Sequence, residues 1–145
     1  MARQALEDAL RRVPFLEALG VSVEEARPGA VVLRLPSSRQ NQDLEGAVHA
    51  GALFTLGGLA ASVALLTHPR LSHLEPLRRG ATVTWLRTST QDVTAHAEVT
   101  PERVDAILSA LEGADPPPLA LSVPLRDGQG EEVAAVETVF GFRTR

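Results

Sequence analysis

The feature that most constrains the fold of this chain is one long apolar segment. It begins with EGAVHAGALFTLGGLAAS, from Glu45 to Ser62, and stays apolar as far as Leu66. Residues 50–66 carry no charge and are interrupted only by one threonine, one serine and glycines. A membrane span needs about 20 strongly apolar residues, whereas this segment is rich in Ala and Gly. We therefore predict a buried helix over residues 49–67, which must be covered all round because no side of it is polar.

Composition excludes several classes of function. A net charge of −4 and an aromatic content of 3% argue against nucleic-acid binding, which needs a basic surface and stacking side chains. The chain has neither cysteine nor lysine, so disulfides, thiolate metal sites, cysteine nucleophiles and lysine-dependent chemistry are excluded. The 145 residues are enough for one globular domain. The charged, amphipathic N-terminus lacks the apolar core of a signal peptide, so we expect a cytoplasmic protein without a membrane partner.

The elements before the apolar segment follow from periodicity. Leucines at helical spacing predict an N-terminal helix within residues 1–19, stopped by Gly20. Alternating apolar and polar residues then predict two short strands around the turn at residues 27–29. The polar stretch 37–46 is interpreted as a loop that leads into the apolar helix.

The elements after the apolar segment are predicted in the same way. Residues 81–89 and 92–100 both alternate, and we interpret them as a hairpin that turns at residues 88–91. A short inserted helix follows over residues 101–113, and a last hairpin turns at residues 127–130. Together these elements predict an α+β domain in which an antiparallel sheet of about six strands wraps around one long central helix.

One proline tests this arrangement. Pro124 falls inside a predicted strand and cannot donate a ladder hydrogen bond. We therefore expect its strand to lie at an edge, or its missing N–H to face outward.

The same segments resemble a known family. GAVHAGALFTLGGLAASVAL resembles the G-x-x-H-G-G-a-l-f-x-L-a-D segment of the hotdog-fold acyl-CoA thioesterases, in particular the phenylacetate-pathway type. The matching positions are Gly46, His49, Gly51, Ala52, Leu53, Phe54 and Leu56. The closing VPLRDGQGEEVAAVETVF resembles the last hairpin of that family, and the insert 101–113 resembles an uncharacterised thioesterase-like branch. The resemblance implies one hotdog domain over residues 1–145 and a homodimer, or a dimer of dimers, with sites at the subunit interface.

The resemblance also implies a chemistry, the hydrolysis of an acyl-CoA thioester. Backbone N–H groups of Ala50, Gly51 and Ala52, at the start of the helix, would polarise the thioester carbonyl. A carboxylate would activate water or attack the carbonyl directly. The helix position where the family carries this carboxylate is Gly58 here, so that route is absent.

Two loop carboxylates stand just upstream and could replace it. Asp43 matches the D-x-x-G-x-V pattern in which other hotdog thioesterases carry their acid, with Gly46 and Val48 at the other positions. Glu45 is the second candidate. Both could instead be solvated loop charges or acids that favour the helix dipole.

Further candidates surround the start of the helix. His49 could bond a thioester oxygen, or only cap the helix. Thr55 and Gly58 are candidate substrate contacts, although Thr55 could be a packed hydroxyl bonded back to a carbonyl. Arg87 and the pair Arg78-Arg79 are candidate contacts for the CoA phosphates, or surface arginines. We predict neither a metal nor a cofactor, since two further histidines flank a connection that offers no third spaced ligand.

Three functions fit these residues. The first is an acyl-CoA thioesterase that uses the helix-start N–H groups and a loop carboxylate. The second is a non-catalytic hotdog protein that binds acyl-CoA or an acyl chain, which the glycine at position 58 favours. The third is a hotdog hydratase or dehydratase, in which His49 and Asp43 would form the acid-base pair.

Overall fold

The computed structural model describes residues 3–145 as four helices and six strands. Their bounds are α1 (Arg3–Arg11), α2 (Pro14–Leu19), β1 (Ser22–Arg27), β2 (Ala30–Leu35), α3 (Ala50–Leu66), β3 (Leu74–Trp85), β4 (Val93–Glu98), α4 (Pro101–Ala110), β5 (Leu119–Arg126) and β6 (Glu132–Thr144). Two 3-10 turns, Arg39–Asn41 and Pro69–Leu71, flank the long helix. None of the helices within residues 3–145 has the length and hydropathy that a membrane-spanning helix requires.

The six strands form one antiparallel sheet around α3, in the order β1-β2-β4-β5-β6-β3. The helix packs on strands from both halves of this sheet. Ten of its seventeen residues are buried, and the strands contribute alternate side chains to the same core. The predicted hotdog arrangement, a sheet of six strands wrapped around one apolar helix, is therefore confirmed.

Small residues on α3 let the sheet approach closely. A Cβ atom on Gly57 would lie 2.4 Å from Cγ2 of Val136 in β6, well inside van der Waals contact. Any side chain at this position would push β6 away from the helix. The first glycine of the Gly57-Gly58 pair is thus required by packing.

The N-terminal region contains two short helices. α1 ends at Arg11, and Pro14 opens α2 as its first residue. Gly20 then takes a left-handed φ of 75° and caps α2, as predicted for a stop glycine. Residues 1 and 2 of the predicted helix lie outside the described residues.

The predicted hairpin between residues 81–89 and 92–100 is wrong. The first of these segments belongs to β3, which already begins at Leu74 and pairs with β6 from Leu74↔Thr144 to Trp85↔Ala134. Alternation fixes which face of a strand is buried but not which strand lies beside it. The chain after Trp85 instead crosses the start of α3, where the Ser89 carbonyl accepts a 2.8 Å hydrogen bond from the Val48 N–H.

Pro124 lies where a ladder ends. β4 and β5 pair through Thr94↔Arg126 and Ala95↔Leu125, and the next position along β5 is Pro124. On its β4 side Pro124 has no paired residue, while on its β6 side it pairs with Ala135. β5 lies between β4 and β6, so the expectation of an edge strand is wrong, and Pro124 lies instead just beyond the end of the short β4–β5 ladder.

Candidate active site

The loop before α3 folds around Asp43. Its Oδ1 atom accepts hydrogen bonds from the backbone N–H groups of Glu45 (2.8 Å) and Ala47 (3.0 Å). The Asp43 N–H in turn donates to the Ala47 carbonyl at 2.8 Å, and Gly46 takes a left-handed φ of 81°. Both side-chain bonds end on Oδ1, so Oδ2 of this exposed carboxylate has no protein hydrogen bond within residues 3–145. Asp43 therefore closes a turn with one oxygen and keeps the other available.

His49 is the N-cap of α3. Its Nδ1 atom accepts a 2.9 Å hydrogen bond from the Gly51 N–H, one of the three predicted carbonyl donors. The N–H groups of Ala50 and Ala52 have no acceptor among the described residues. Two of the three predicted donors are therefore unpaired, while His49 has an N-capping role.

Asn41, which was not among the predicted site residues, anchors this helix start. The side chain is buried, and Nδ2 donates to the carbonyls of Leu19 (2.7 Å) and Pro36 (3.0 Å). The Asn41 carbonyl accepts a 2.7 Å bond from the His49 N–H. Asn41 thereby ties the start of α3 to the ends of α2 and β2, a long-range role that no local pattern could indicate.

A cavity of about 330 Å³ lies beside the helix start and brings three predicted residues together. Asp43, Ala50 and Arg87 line it. The remaining lining residues are Val48, Leu53, Trp85, Leu86 and Thr88. Glu45 and His49 do not line it, but share an open depression with Asp43 on the outer side of the loop. Asp43 is thus common to both spaces.

Arg87 lies at the rim of this cavity. Its Nη2 atom is 3.5 Å from Oε2 of Glu131, and both side chains are more than half exposed. An exposed ion pair of this kind is weak. A phosphate group could therefore displace Glu131 from the guanidinium.

Thr55 and Gly58 line a different cavity, of about 590 Å³, on the open side of α3. The Thr55 hydroxyl donates to the Gly51 carbonyl at 2.9 Å, the back-bonded alternative considered above. Over Gly58 lies Arg78 of β3, whose Nη2 atom donates to the Gly58 carbonyl at 3.3 Å and to Ser62 Oγ at 2.9 Å. The predicted site residues are thus divided between two cavities, and the guanidinium of Arg78 lies beside the position where the resemblance implied an acid.

The histidines outside the helix start do not join either cavity. His68 caps the turn Pro69–Leu71, where its Nδ1 atom accepts a bond from the Arg70 N–H. His96 lies on the face of the sheet turned away from α3, and its pKa is lowered by burial and then by the charge of Arg126, against the opposing charges of Glu25 and Glu24. No three His, Asp or Glu side chains within residues 3–145 form a group that could hold a metal ion.

Comparison with known proteins identifies relatives over nearly the whole chain. Residues 2–140 match the family model described as "Domain of unknown function (DUF4442)". No curated protein matches the sequence.

Solved structures match the fold closely. PA5026 from Pseudomonas aeruginosa, described as a protein of unknown function and probable thioesterase, has 25% sequence identity and a TM-score of 0.90, covering 100% of this chain and 97% of that one. The thioesterase HI1161 from Haemophilus influenzae has 12% identity and a TM-score of 0.78, with coverages of 99% and 92%. Zebra fish thioesterase superfamily member 2 has 17% identity and a TM-score of 0.74, covering 96% of each chain.

Proposed function

Because the chain belongs to the DUF4442 family and shares the hotdog fold with proteins called thioesterases, we propose that it hydrolyses the thioester bond of an acyl-CoA. One observation carries this proposal. The carboxylate of Asp43 and the unpaired N–H of Ala50 border the same cavity at the start of α3. A general base and a carbonyl-polarising donor are the two groups that this hydrolysis needs.

In the proposed mechanism the thioester carbonyl oxygen accepts a hydrogen bond from the N–H group of Ala50, aided by the positive end of the helix dipole. Oδ2 of Asp43 takes a proton from a water molecule as that water attacks the carbonyl carbon. The C–S bond then breaks, and the proton passes to the departing sulfur. The products are a carboxylic acid and free CoA, whose phosphates Arg87 would hold at the rim of the cavity.

The remaining predicted residues have supporting roles in this proposal. His49 fixes the helix start through the Gly51 N–H, which removes that donor from the reaction. Glu45 shares the outer depression with Asp43 and is the second candidate for the base. Thr55 and Gly58 border the larger cavity, which would take part of the acyl group.

The assembly proposed for this function is a homodimer, or a dimer of dimers. β3 is an edge strand of 12 residues, and one of its two edges pairs with no strand of the described chain. Trp85 on β3 is 51% exposed and Phe54 on α3 is 42% exposed. A long unpaired edge beside exposed apolar side chains favours pairing with a second copy. Sedimentation should then give twice or four times the monomer mass, and a monomer would contradict this part of the proposal.

The test is a thiol-release assay on acyl-CoAs of increasing acyl length, with the variant Asp43→Asn. Loss of a general base should lower kcat/KM by about 100-fold or more. The matched control is Asp127→Asn, because Asp127 closes a turn with the same bonds: its Oδ1 accepts from the N–H groups of Gln129 (2.9 Å) and Glu131 (3.0 Å). Gly130 even repeats the left-handed φ of Gly46, at 80°.

This control separates chemistry from folding. If both variants kept full activity, Asp43 would have only its turn-closing role and Glu45→Gln would be the next variant. If both lost activity equally, the loss would come from disturbed turns.

A second candidate function is the binding of acyl-CoA or an acyl chain without turnover. The absence of a carboxylate at Gly58 is the observation that favours it. Calorimetry beside the activity assay distinguishes the two, since binding without thiol release would select this candidate. For the third candidate, a hydratase would instead consume an enoyl-CoA and a dehydratase would consume a β-hydroxyacyl-CoA in the same series of assays.

A further inference from the structure

The loop 41–49, which leads into α3, is a small hairpin that closes at Asn41. The Asn41 carbonyl accepts a 2.7 Å hydrogen bond from the His49 N–H, and the two arms pair through an isolated antiparallel bridge. Asp43 lies on the first arm, and Ala50 follows directly after the second. The separation between the proposed base and the proposed carbonyl donor therefore depends on how the base of this hairpin is held.

The side chain of Asn41 holds that base from the other direction. Its Nδ2 atom donates to the Leu19 carbonyl at the end of α2 (2.7 Å) and to the Pro36 carbonyl just after β2 (3.0 Å). The residue is 1% exposed, so bulk water does not compete for these bonds. One side chain thus joins the hairpin to two other segments of the chain.

Asparagine suits these partners better than the side chains closest to it in size. Two carbonyl oxygens face Nδ2, and a primary amide nitrogen has a hydrogen for each of them. Aspartate would place an acceptor against two acceptors, and serine could donate only one hydrogen. Oδ1 of Asn41 is buried with no hydrogen-bond partner among residues 3–145. The side chain therefore acts through its two donors.

Gln40 strengthens the same connection. Its Nε2 atom donates to the Ala18 carbonyl, one residue before the carbonyl that Asn41 uses. α2 itself is fixed to the core by Leu16, which is buried. The hairpin is thus anchored to the hydrophobic core through the end of α2, and not only through its own loop.

We propose that Asn41 is a positioning residue for thioester hydrolysis, an inference that rests on the function proposed above. By clamping the base of the hairpin, it keeps the Asp43 carboxylate and the Ala50 N–H at the separation that the reaction needs. Asn41 lines neither cavity nor the outer depression, so it acts on geometry and does not touch the substrate. Displacing reacting groups by about 1 Å can cost about 100-fold in rate.

Thiol release by wild type and Asn41→Ala tests this role. The variant should lose about 10-fold or more in kcat, while KM should change by less than about 2-fold, because every residue that lines the cavity is retained. The control is Thr100→Ala, which also removes a side-chain bond at a helix N-terminus: Thr100 Oγ1 accepts a 3.3 Å bond from the Arg103 N–H. α4 lines neither cavity nor the depression, so this variant should keep the kcat of wild type.

Hydrogen exchange adds a readout that does not depend on activity. The His49 N–H should exchange at least about 10-fold faster in Asn41→Ala than in wild type, and at the wild-type rate in Thr100→Ala. In wild type alone it should exchange more slowly than the Gly130 N–H, which bonds to Asp127 within a turn that has no such clamp. This last comparison requires no variant to fold.

The two readouts separate the possible failures. Absence of thiol release from wild type would overturn the proposed function, and the exchange rates would still decide whether Asn41 clamps the hairpin. Unchanged kcat in Asn41→Ala, a change confined to KM, or an equal loss of kcat in Thr100→Ala would overturn the positioning role. Equal exchange of the His49 and Gly130 amides in wild type would also overturn it.

Discussion

Gly57 and Gly58 are adjacent and chemically identical, yet neighbouring atoms pack tightly against the first and leave space beside the second. A Cβ on Gly57 would come within 2.4 Å of the Val136 side chain, whereas a Cβ on Gly58 would meet nothing closer than 3.9 Å. Successive residues of an α-helix are turned by about 100°, so one glycine faces the sheet and the other faces the open cavity. One is required by packing, and the other leaves the cavity beside Arg78 unblocked.

The same division runs along the whole helix. Leu56 faces the sheet and is fully buried, while Phe54 faces the open side and is 42% exposed. The sheet-facing side of α3 therefore determines stability, and the open side is available for ligands or a second subunit. Substitutions on the two sides should change the free energy of unfolding by amounts that differ in sign as well as in size.

The largest effect is expected on the sheet-facing side. Gly57→Ala should lower the free energy of unfolding by about 2 kcal/mol, because overpacking a tight core typically costs about 1–3 kcal/mol. Urea denaturation measures this. Adding Val136→Ala should not recover the loss, because the Cβ atom of residue 136 would still lie 2.6 Å from the new Cβ. If Gly57→Ala were as stable as wild type, the close contact between α3 and β6 would be wrong.

On the open side, Thr138→Val should raise stability by about 1 kcal/mol. The change removes a buried hydroxyl that has no partner, and an unsatisfied buried group costs about 1–3 kcal/mol. Thr67→Val is the control. The Thr67 hydroxyl donates a 2.9 Å hydrogen bond to the Val63 carbonyl, so its replacement should not raise the free energy of unfolding. A destabilised Thr138→Val would mean that the hydroxyl has a partner in solution.

Gly58→Ala should also stabilise the chain, by about 0.5–1 kcal/mol, because alanine loses less backbone entropy than glycine in a helix. The opposite effect of Gly57→Ala, one residue away, would show directly that the two sides of α3 differ in packing. Thermal denaturation of the two variants side by side checks it. A loss of stability in both would show that the open side is as tightly packed as the other.

The smallest effect is expected outside the helix, on the outer face of the sheet. Burial and Arg126 lower the pKa of His96, while the unfolded chain binds this proton near pH 6.5. The unfolded state therefore holds more protons just below that pH, so stability is complete above about pH 6.5 and falls as the pH drops through the window below it. The pKa of Asp92 is lowered chiefly by the Ser37 N–H, so the contribution of Asp92 to stability is lost only below about pH 3.9.

Urea denaturation between pH 7.5 and 5 isolates this contribution. His96→Gln should flatten the decline. An unaltered slope in His96→Gln would assign the decline to other groups.

Much of the fold could be predicted because few folds can bury the apolar segment of α3 on all sides. A helix without a polar side must be covered on all sides, and the alternation of apolar and polar residues in the flanking segments predicted the strands that cover it. The partner of β3 could not be predicted, because its alternating residues are compatible with either β4 or β6 as a neighbour. Only the three-dimensional register Val83↔Val136 decides this.

The candidate site was harder to predict for a related reason. The sequence identifies Asp43 and the helix start, which are local in the chain. It does not show that Arg78 reaches back over Gly58, or that Thr138 is buried without a partner, since both depend on how distant strands meet the helix. Local patterns can also mislead, because Asp43 and Asp127 close turns with the same hydrogen bonds in different surroundings.

The short ladder between β4 and β5 gives the sheet an internal seam. Within residues 3–145 these strands pair only through Thr94↔Arg126 and Ala95↔Leu125, while β3 and β6 pair along eleven positions. The molecule is thus built as two three-stranded leaves bound to a common spine, α3. Amide protons bordering the seam should exchange before those in the middle of either leaf, and the leaves can part there with the loss of few hydrogen bonds.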